Sequence, residues 1–316
     1  MAENKSILVL GAGELGMAVL RNLASRANPS NGATVSVLLR PSSIDSTDPN
    51  KKRDIDEIRS LGIDIVPGDL ATASTAELAA LFKRFHTVIS CTGFVTGAGF
   101  QLKLTRAVLD AGLQRYVPWQ FGVDYDVIGK GSAHDLFDEQ LEVRDLLRSQ
   151  DRTGWIIIST GMFTSFLFEP SFGVVDLARG AVHALGSWEN AVTVTTPEDI
   201  GALTAEIIFE EPPIINQVVY TAGDTIKYGR LADIVESVLG RKVQREEWTV
   251  PELKDHLAKD PDNPIKKYRV VFAEGRGVSW DMNKTFNAQR GIEVVDVQRW
   301  AHEHLSQPTA GTATGF

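Results

Sequence analysis

The densest chemical signal in the sequence is Gly11-Ala12-Gly13-Glu14-Leu15-Gly16, which follows the apolar run Ser6–Leu10 and opens onto Leu15, Val19, Leu20 and Leu23 at helical spacing. Glycines spaced G-x-G-x-x-G between a strand and a helix have separable tasks. Gly11 makes the tight turn, Gly13 lets a pyrophosphate approach the backbone, and Gly16 lets the helix pack closely on the strand. The free N–H groups and the dipole at the helix start both attract anionic oxygens, which makes Glu14 and Leu15 expected phosphate neighbours. The chemistry implied is dinucleotide binding; an ordinary glycine-rich turn is the competing reading of the same residues.

The second strand-like run, Thr34–Leu39, ends on Arg40, followed by Pro41, Ser42 and Ser43, with no carboxylate before Asp45. A carboxylate at this point accepts from a ribose 2′-hydroxyl, whereas an arginine accommodates a 2′-phosphate. NADP(H) is therefore expected over NAD(H), with a solvated Arg40 as the alternative. Lys51, Lys52 and Arg53 read as a solvated charge run. Gly68-Asp69-Leu70 closes the third run, where Asp69 or the Leu70 backbone would meet the adenine. Ser90-Cys91-Thr92-Gly93 closes the fourth, and its small residues leave room for the ribose and nicotinamide. Gln120 and Phe121, after the fifth run, complete the expected cofactor contacts. Cys91 is the only cysteine, so an internal disulfide and a cysteine-based zinc site are both excluded, and a small buried hydrophobe is expected there.

The elements that must position these residues follow from patterning. Short β-rich runs at Ser6–Leu10, Thr34–Leu39, Asp64–Pro67, Thr87–Cys91, Arg115–Pro118 and Trp155–Thr160 alternate with helical patterns such as Phe100, Leu104, Ala107, Val108 and Ala111. That alternation predicts βαβ units and a Rossmann-type, doubly wound parallel sheet. Ser74 and Glu77 form a capping-box pattern. Beyond about Gly161 the alternation weakens and aromatic residues accumulate (Phe163, Phe166, Phe168, Phe172), which reads either as a substrate pocket or as ordinary core. Pro197, with Thr196 before it and Glu198 and Asp199 behind, starts another helix, and Ile214–Thr221 returns to strand character. The expected organisation is a cofactor domain over residues 1–160 and a mainly substrate-binding lobe over 161–316, with some segments returning to the sheet. Ser306–Phe316 reads as a frayed tail.

Composition narrows the function classes. With 316 residues, 43% of them apolar, the chain can bury a sizeable core. A formal charge of −9 argues against a surface built to neutralise nucleic-acid phosphates. No apolar run reaches the roughly 18 residues of a membrane span, and the start carries no signal-peptide pattern, so a cytoplasmic protein with a small-molecule substrate is expected.

The order of these motifs resembles the isoflavone reductase and phenylcoumaran benzylic ether reductase family, and more closely its fungal NmrA-like relatives among the atypical short-chain dehydrogenases. The resemblance is carried by the glycine motif, Leu39-Arg40, Gly68-Asp69, Val88-Ile89-Ser90, Gln101–Asp124, Asp199-Ile200-Gly201 and Asn216–Thr221. It implies an NADPH-dependent reductase of a small, largely apolar aromatic or polyketide-like metabolite. Two departures matter. Plant members usually read Pro-Ser-Glu-Phe-Gly where this chain has Pro118-Trp119-Gln120-Phe121-Gly122, and the family's catalytic lysine, in Phe-x-x-Lys-x-x-Val-Arg, is replaced by Gln140 in Phe137–Arg144. An amide has no proton to give near neutral pH, so Lys130, Tyr125 and His134 become the candidate proton donors, with Gln140 as an orienting group.

Other chemistries find less support. The Tyr-x-x-x-Lys pair of classical short-chain dehydrogenases is absent, no G-x-S-x-G elbow supports a hydrolase, and His302-x-His304 is not a metal site by itself. A non-catalytic NADP sensor that binds a protein partner, and a cofactor-dependent but redox-neutral rearrangement or cyclisation, remain as rival functions because fold alone does not separate them.

Overall fold

The computed structural model describes residues 5–27, 32–93, 97–133 and 135–305. The chain forms two compact units, the first from residues up to Phe121, Phe137–Ser159 and Pro197–Tyr220, the second from Gly122–Leu136, Thr160–Thr196 and the described residues from Thr221 onward. A single cut near residue 160 therefore does not describe the division: 122–136 cluster with the second unit, and 197–220 with the first.

The first unit is a parallel sheet of β1 (Lys5–Leu10), β2 (Ala33–Leu39), β3 (Asp64–Pro67), β4 (Thr87–Ser90), β5 (Arg115–Val117), β6 (Gly154–Ser159) and an edge strand, Gln217–Tyr220. Its order is edge strand, β6, β5, β4, β1, β2, β3. Ile7–Leu10 in β1 and all of β4 are buried, as strands covered on both faces require. The chain winds outward from β1 through β2 to β3, then restarts on the other side with β4, which pairs with β1 in register Ile7↔Thr87. Such a reversal opens a crevice at the carboxyl ends of the two central strands. The edge strand is the segment expected to return to the sheet. Its register is held by Asn216, whose backbone N–H donates to the Trp155 carbonyl at 2.6 Å and whose Oδ1 accepts from the Trp155 N–H at 3.1 Å.

Helix α1 (Glu14–Arg26) buries Leu15, Val19, Leu20 and Leu23 as the pattern requires. The helix Pro197–Phe209 lies against it so closely that a Cβ on Gly201 would stand 2.5 Å from the Ala18 carbonyl. The Ser74–Glu77 capping box forms in both directions. The helix Phe100–Ala111 lacks a side-chain cap of its own at Gly99; the Glu139 carboxylate supplies one, accepting from the N–H groups of Gly99 and Leu102 at 2.9 and 3.1 Å.

The second unit contains two three-stranded sheets, one of Asp224–Lys227, Ala191–Thr195 and Met162–Phe163, the other of Gln244–Trp248, Ala181–Leu185 and Val175–Asp176. Phe166 stacks on Phe172 at 4.7 Å, and Phe172 meets Phe272 edge-on. Two rings of the aromatic run thus meet each other, and Phe172, fully buried, also meets a ring of the helix Pro264–Glu274. Among the described residues no helix is long and apolar enough to cross a membrane, and no cluster of three or more His, Cys, Asp or Glu could hold a metal ion. The tail Ser306–Phe316 lies outside the described residues.

Candidate functional site: a crevice at the sheet's carboxyl edge

Four successive strand ends of the first unit converge on a crevice of about 590 Å³. Gly11 and Gly13 enter it after β1, Arg40 and Ser43 after β2, Asp69 and Leu70 after β3, and Cys91, Thr92 and Gly93 after β4. The loops are pinned from behind. Gln101 donates its side-chain amide to the carbonyls of Thr92 and Gly93 at 2.8 and 3.3 Å, and Lys103 donates to those of Leu70 and Ala71, both at 3.0 Å. The Asp69 carboxylate accepts from the Ala71 N–H at 2.9 Å and so braces its own loop.

The three glycines of the motif are not equivalent. Gly11 has φ +88°, in the region that disfavours side chains, and a Cβ on Gly16 would lie 2.4 Å from the Gly11 carbonyl oxygen. The fold itself needs both. Gly13, by contrast, has an extended backbone with φ −74°, and a Cβ there would meet nothing within 4 Å. Nothing in the chain's own packing requires glycine at 13, whereas a pyrophosphate lying against the backbone does. The residues present therefore fit a dinucleotide.

The crevice wall beyond β2 carries two cations, Arg40 and Lys51, alongside the Asp54 carboxylate. Arg40 is exposed at the start of a short helical turn, Pro41–Ile44. Lys51 lines the same wall, which the reading of residues 51–53 as a solvated run did not foresee. It stands in the first turn of the helix Pro49–Ser60, whose N-cap Asp48 accepts from the N–H groups of Asn50 and Lys51 at 3.0 Å. The Asp48-Pro49 start was the available signal, since it fixes which residues fall in that first turn. Lys52 and Arg53 are exposed and are not part of the lining.

The other expected contacts differ in how far their side chains are accessible. The Leu15 side chain is buried in the core, so only its backbone could serve a phosphate. Glu14 is exposed in the first turn of α1, and partial desolvation together with the Glu198 carboxylate raises its pKa. Ser90 is buried, its Oγ 3.2 Å from that of Thr92. Cys91 is a free, buried thiol whose pKa burial pushes up, so it stays protonated and inert. Phe121 is buried edge-on to Trp119.

Gln120 and Gln140, the two positions of departure, meet. Both are fully buried. Gln120 Nε2 donates to the backbone carbonyl of Gln140 at 2.8 Å and to its Oε1 at 3.1 Å, while Gln120 Oε1 accepts from Arg144 Nε at 2.8 Å. The Arg144 guanidinium also reaches Ser159 Oγ at 3.4 Å. Gln120 is thus turned away from the crevice because it bridges β5 to the helix Asp138–Arg148, and Gln140, whose own Nε2 is buried without a hydrogen-bond partner among the described residues, belongs to this polar network and not to the crevice lining. Tyr125 and Lys130 belong to the second unit, the first buried and the second exposed. His134 lies outside the described residues.

A doubly wound parallel sheet whose glycine-rich turn, strand-end cation and small-residue loops share one crevice defines a protein of the Rossmann-type fold. Residues 3–292 match the NmrA-like family, and the chain belongs to it. It is 48% identical over 301 residues to an NmrA-like family domain-containing oxidoreductase of Gibberella moniliformis, covering 95% of this chain and 97% of that protein. It is 26% identical over 324 residues to the phenylcoumaran benzylic ether reductase Betv6 of Betula pendula, covering 97% and 99%. Among solved structures, the leucoanthocyanidin reductase–NADPH binary complex of Vitis vinifera shares the fold, with a TM-score of 0.78 and 18% identity over 96% of this chain and 100% of that one.

Proposed function

We propose that this protein is an NADPH-dependent reductase of a small, largely apolar aromatic or polyketide-like metabolite. The observation that carries the cofactor assignment is the crevice itself: Gly13 is open where only a ligand demands glycine, and Arg40, Ser43 and Lys51 gather beyond β2 where a 2′-phosphate would lie. An arginine fork and an ammonium together suit a phosphate with several acceptor oxygens. The oxidoreductase name of the Gibberella relative and the reductase name of the Betula relative support the reaction class.

In this reading Gly13 and the α1 N-terminus hold the pyrophosphate, Arg40 and Lys51 hold the 2′-phosphate, and Cys91, Thr92 and Gly93 leave space for the nicotinamide end. Bound NADPH supplies the hydride. Gln120 and Gln140 stiffen the sheet edge behind the site and transfer no proton. The proton donor is then another group or water, and Tyr125 and Lys130 are the candidates named from the sequence.

One observation favours a second reading. The buried amide at 140 leaves that position without a titratable group, which also suits a redox-neutral use of the cofactor site. The deciding experiment incubates the protein with NADPH and a panel of aromatic ketones and enones, following NADPH absorbance and product by chromatography. Stoichiometric loss of NADPH with reduced product supports the reductase. Product without NADPH loss moves the assignment to rearrangement or cyclisation, and NADPH binding with no product from any acceptor moves it to a sensor.

A further inference from the structure

We propose that Trp119 is a specificity-determining residue, an aromatic wall that selects planar acceptors at the far end of the crevice; the proposal rests on the cofactor reading above. The strand order sets the geometry. Along the carboxyl edge of the sheet the order β3, β2, β1, β4, β5 places Asp69, then Arg40, then the glycine turn, then Thr92 and Gly93. A dinucleotide laid along this edge with its 2′-phosphate at Arg40 has its reactive ring at the β4 end. The next strand end is that of β5, and its first large side chain is Trp119.

The indole is placed and braced. Its benzo ring rests on Gly93, where a Cβ would come within 3.2 Å of Trp119 Cζ2, so glycine at 93 is what lets the ring lie down over the crevice loop. Gln101 fixes that loop through the Thr92 and Gly93 carbonyls. Phe121 also meets the indole edge-on, with centroids 6.0 Å apart and planes at 69°. Trp119 nonetheless stays half-buried. A large apolar ring held by two contacts, one of them the crevice-lining Gly93, and still half-buried offers a flat and polarisable face at little entropic cost. Aromatic partners favour such a face over saturated rings of the same size.

The test uses wild-type protein saturated with NADP+, which binds without turnover, titrated calorimetrically with 2-naphthaldehyde and with its saturated counterpart of the same ring size, decahydronaphthalene-2-carbaldehyde. The expected result is about 10-fold tighter binding of the aromatic aldehyde. Trp119→Leu, which keeps apolar bulk but removes the ring, should bring the two affinities within about 3-fold, while Trp119→Phe keeps most of the preference. If the leucine variant does not fold, 19F spectra of the 5-fluorotryptophan-labelled wild type replace it. The Trp119 signal, assigned through Trp119→Phe, should then move most of the tryptophan signals when naphthaldehyde is added. Equal affinities in the wild type, no binding of naphthaldehyde, an unchanged preference in Trp119→Leu or an unmoved Trp119 signal would each overturn the proposal. Failure of NADP+ itself to bind would strike the cofactor reading instead, so the two failures are separable.

Discussion

Gln140→Lys puts an ammonium into a fully buried site, where the side chain it replaces shares Gln120 with the Arg144 guanidinium. Two cations would then flank one neutral amide, and the desolvated ammonium would have no carboxylate among the groups shown to contact residue 140. An uncompensated buried charge costs about 3–5 kcal/mol, so the variant should melt about 10 °C lower, taking a few degrees per kcal/mol for a chain of this size. Gln120→Glu behaves differently: one carboxylate oxygen still accepts from Arg144, but the other takes the place of Nε2 and faces the Gln140 carbonyl and Oε1 to which the amide now donates, so the variant should lose about 1–3 kcal/mol. In the double variant that carboxylate lies between the introduced ammonium at position 140 and the Arg144 guanidinium and compensates both. A coupling of about 2–3 kcal/mol should therefore appear in the double-mutant cycle, measured by urea unfolding of the four proteins followed by circular dichroism. Strict additivity, or a Gln140→Lys variant as stable as the wild type, would refute the reasoning that 120 and 140 form one coupled unit.

Three further outcomes follow from the crevice. Lys51→Ala should weaken NADP+ binding about 10-fold and NAD+ binding hardly at all, since only the 2′-phosphate is expected to reach it; equal losses for both in calorimetry would remove Lys51 from that subsite. Gly13→Val should melt like the wild type yet fail to bind NADP+, whereas Gly16→Ala, which drives a Cβ onto the Gly11 carbonyl, should lower the melting temperature; a cofactor-binding Gly13→Val protein contradicts the assignment. Glu14 has a raised pKa in the folded protein, from burial first and Glu198 second, so the folded state holds its proton more tightly than the unfolded chain. Its unfavourable contribution is then full above the folded pKa and fades as the pH falls through that pKa towards the unfolded value. Glu14→Gln should accordingly raise the melting temperature at neutral pH and lose that advantage in acid; an advantage independent of pH would point to a cause other than charge.

What could be read from the sequence was what local chemistry dictates. Six of the seven sheet strands and the glycine turn follow from apolar runs and from residues with one physical use, and Ile214–Thr221 announced the seventh. Arg40 was legible because a strand end has a fixed place in a doubly wound sheet. Lys51 was not, because its place in the crevice depends on how the helix Pro49–Ser60 lies against β2 and β3, and a lysine in a charged run carries no local mark of that. Gln120 and Gln140 looked like two separate departures on opposite sides of a loop and helix start. Only packing shows that they are hydrogen-bonded partners in one buried polar network. Glu139 as the cap of a helix some forty residues earlier is invisible for the same reason.

The central claim, that the crevice is built for a 2′-phosphorylated dinucleotide, is tested most directly by calorimetric titration of NADP+ and NAD+ into the wild type and Arg40→Ala. The expected result is at least about 10-fold tighter binding of NADP+ in the wild type, from charge-assisted contacts worth about 1.5–3 kcal/mol each, with most of that preference lost in Arg40→Ala while NAD+ affinity holds. Equal affinities for the two cofactors in the wild type would contradict it.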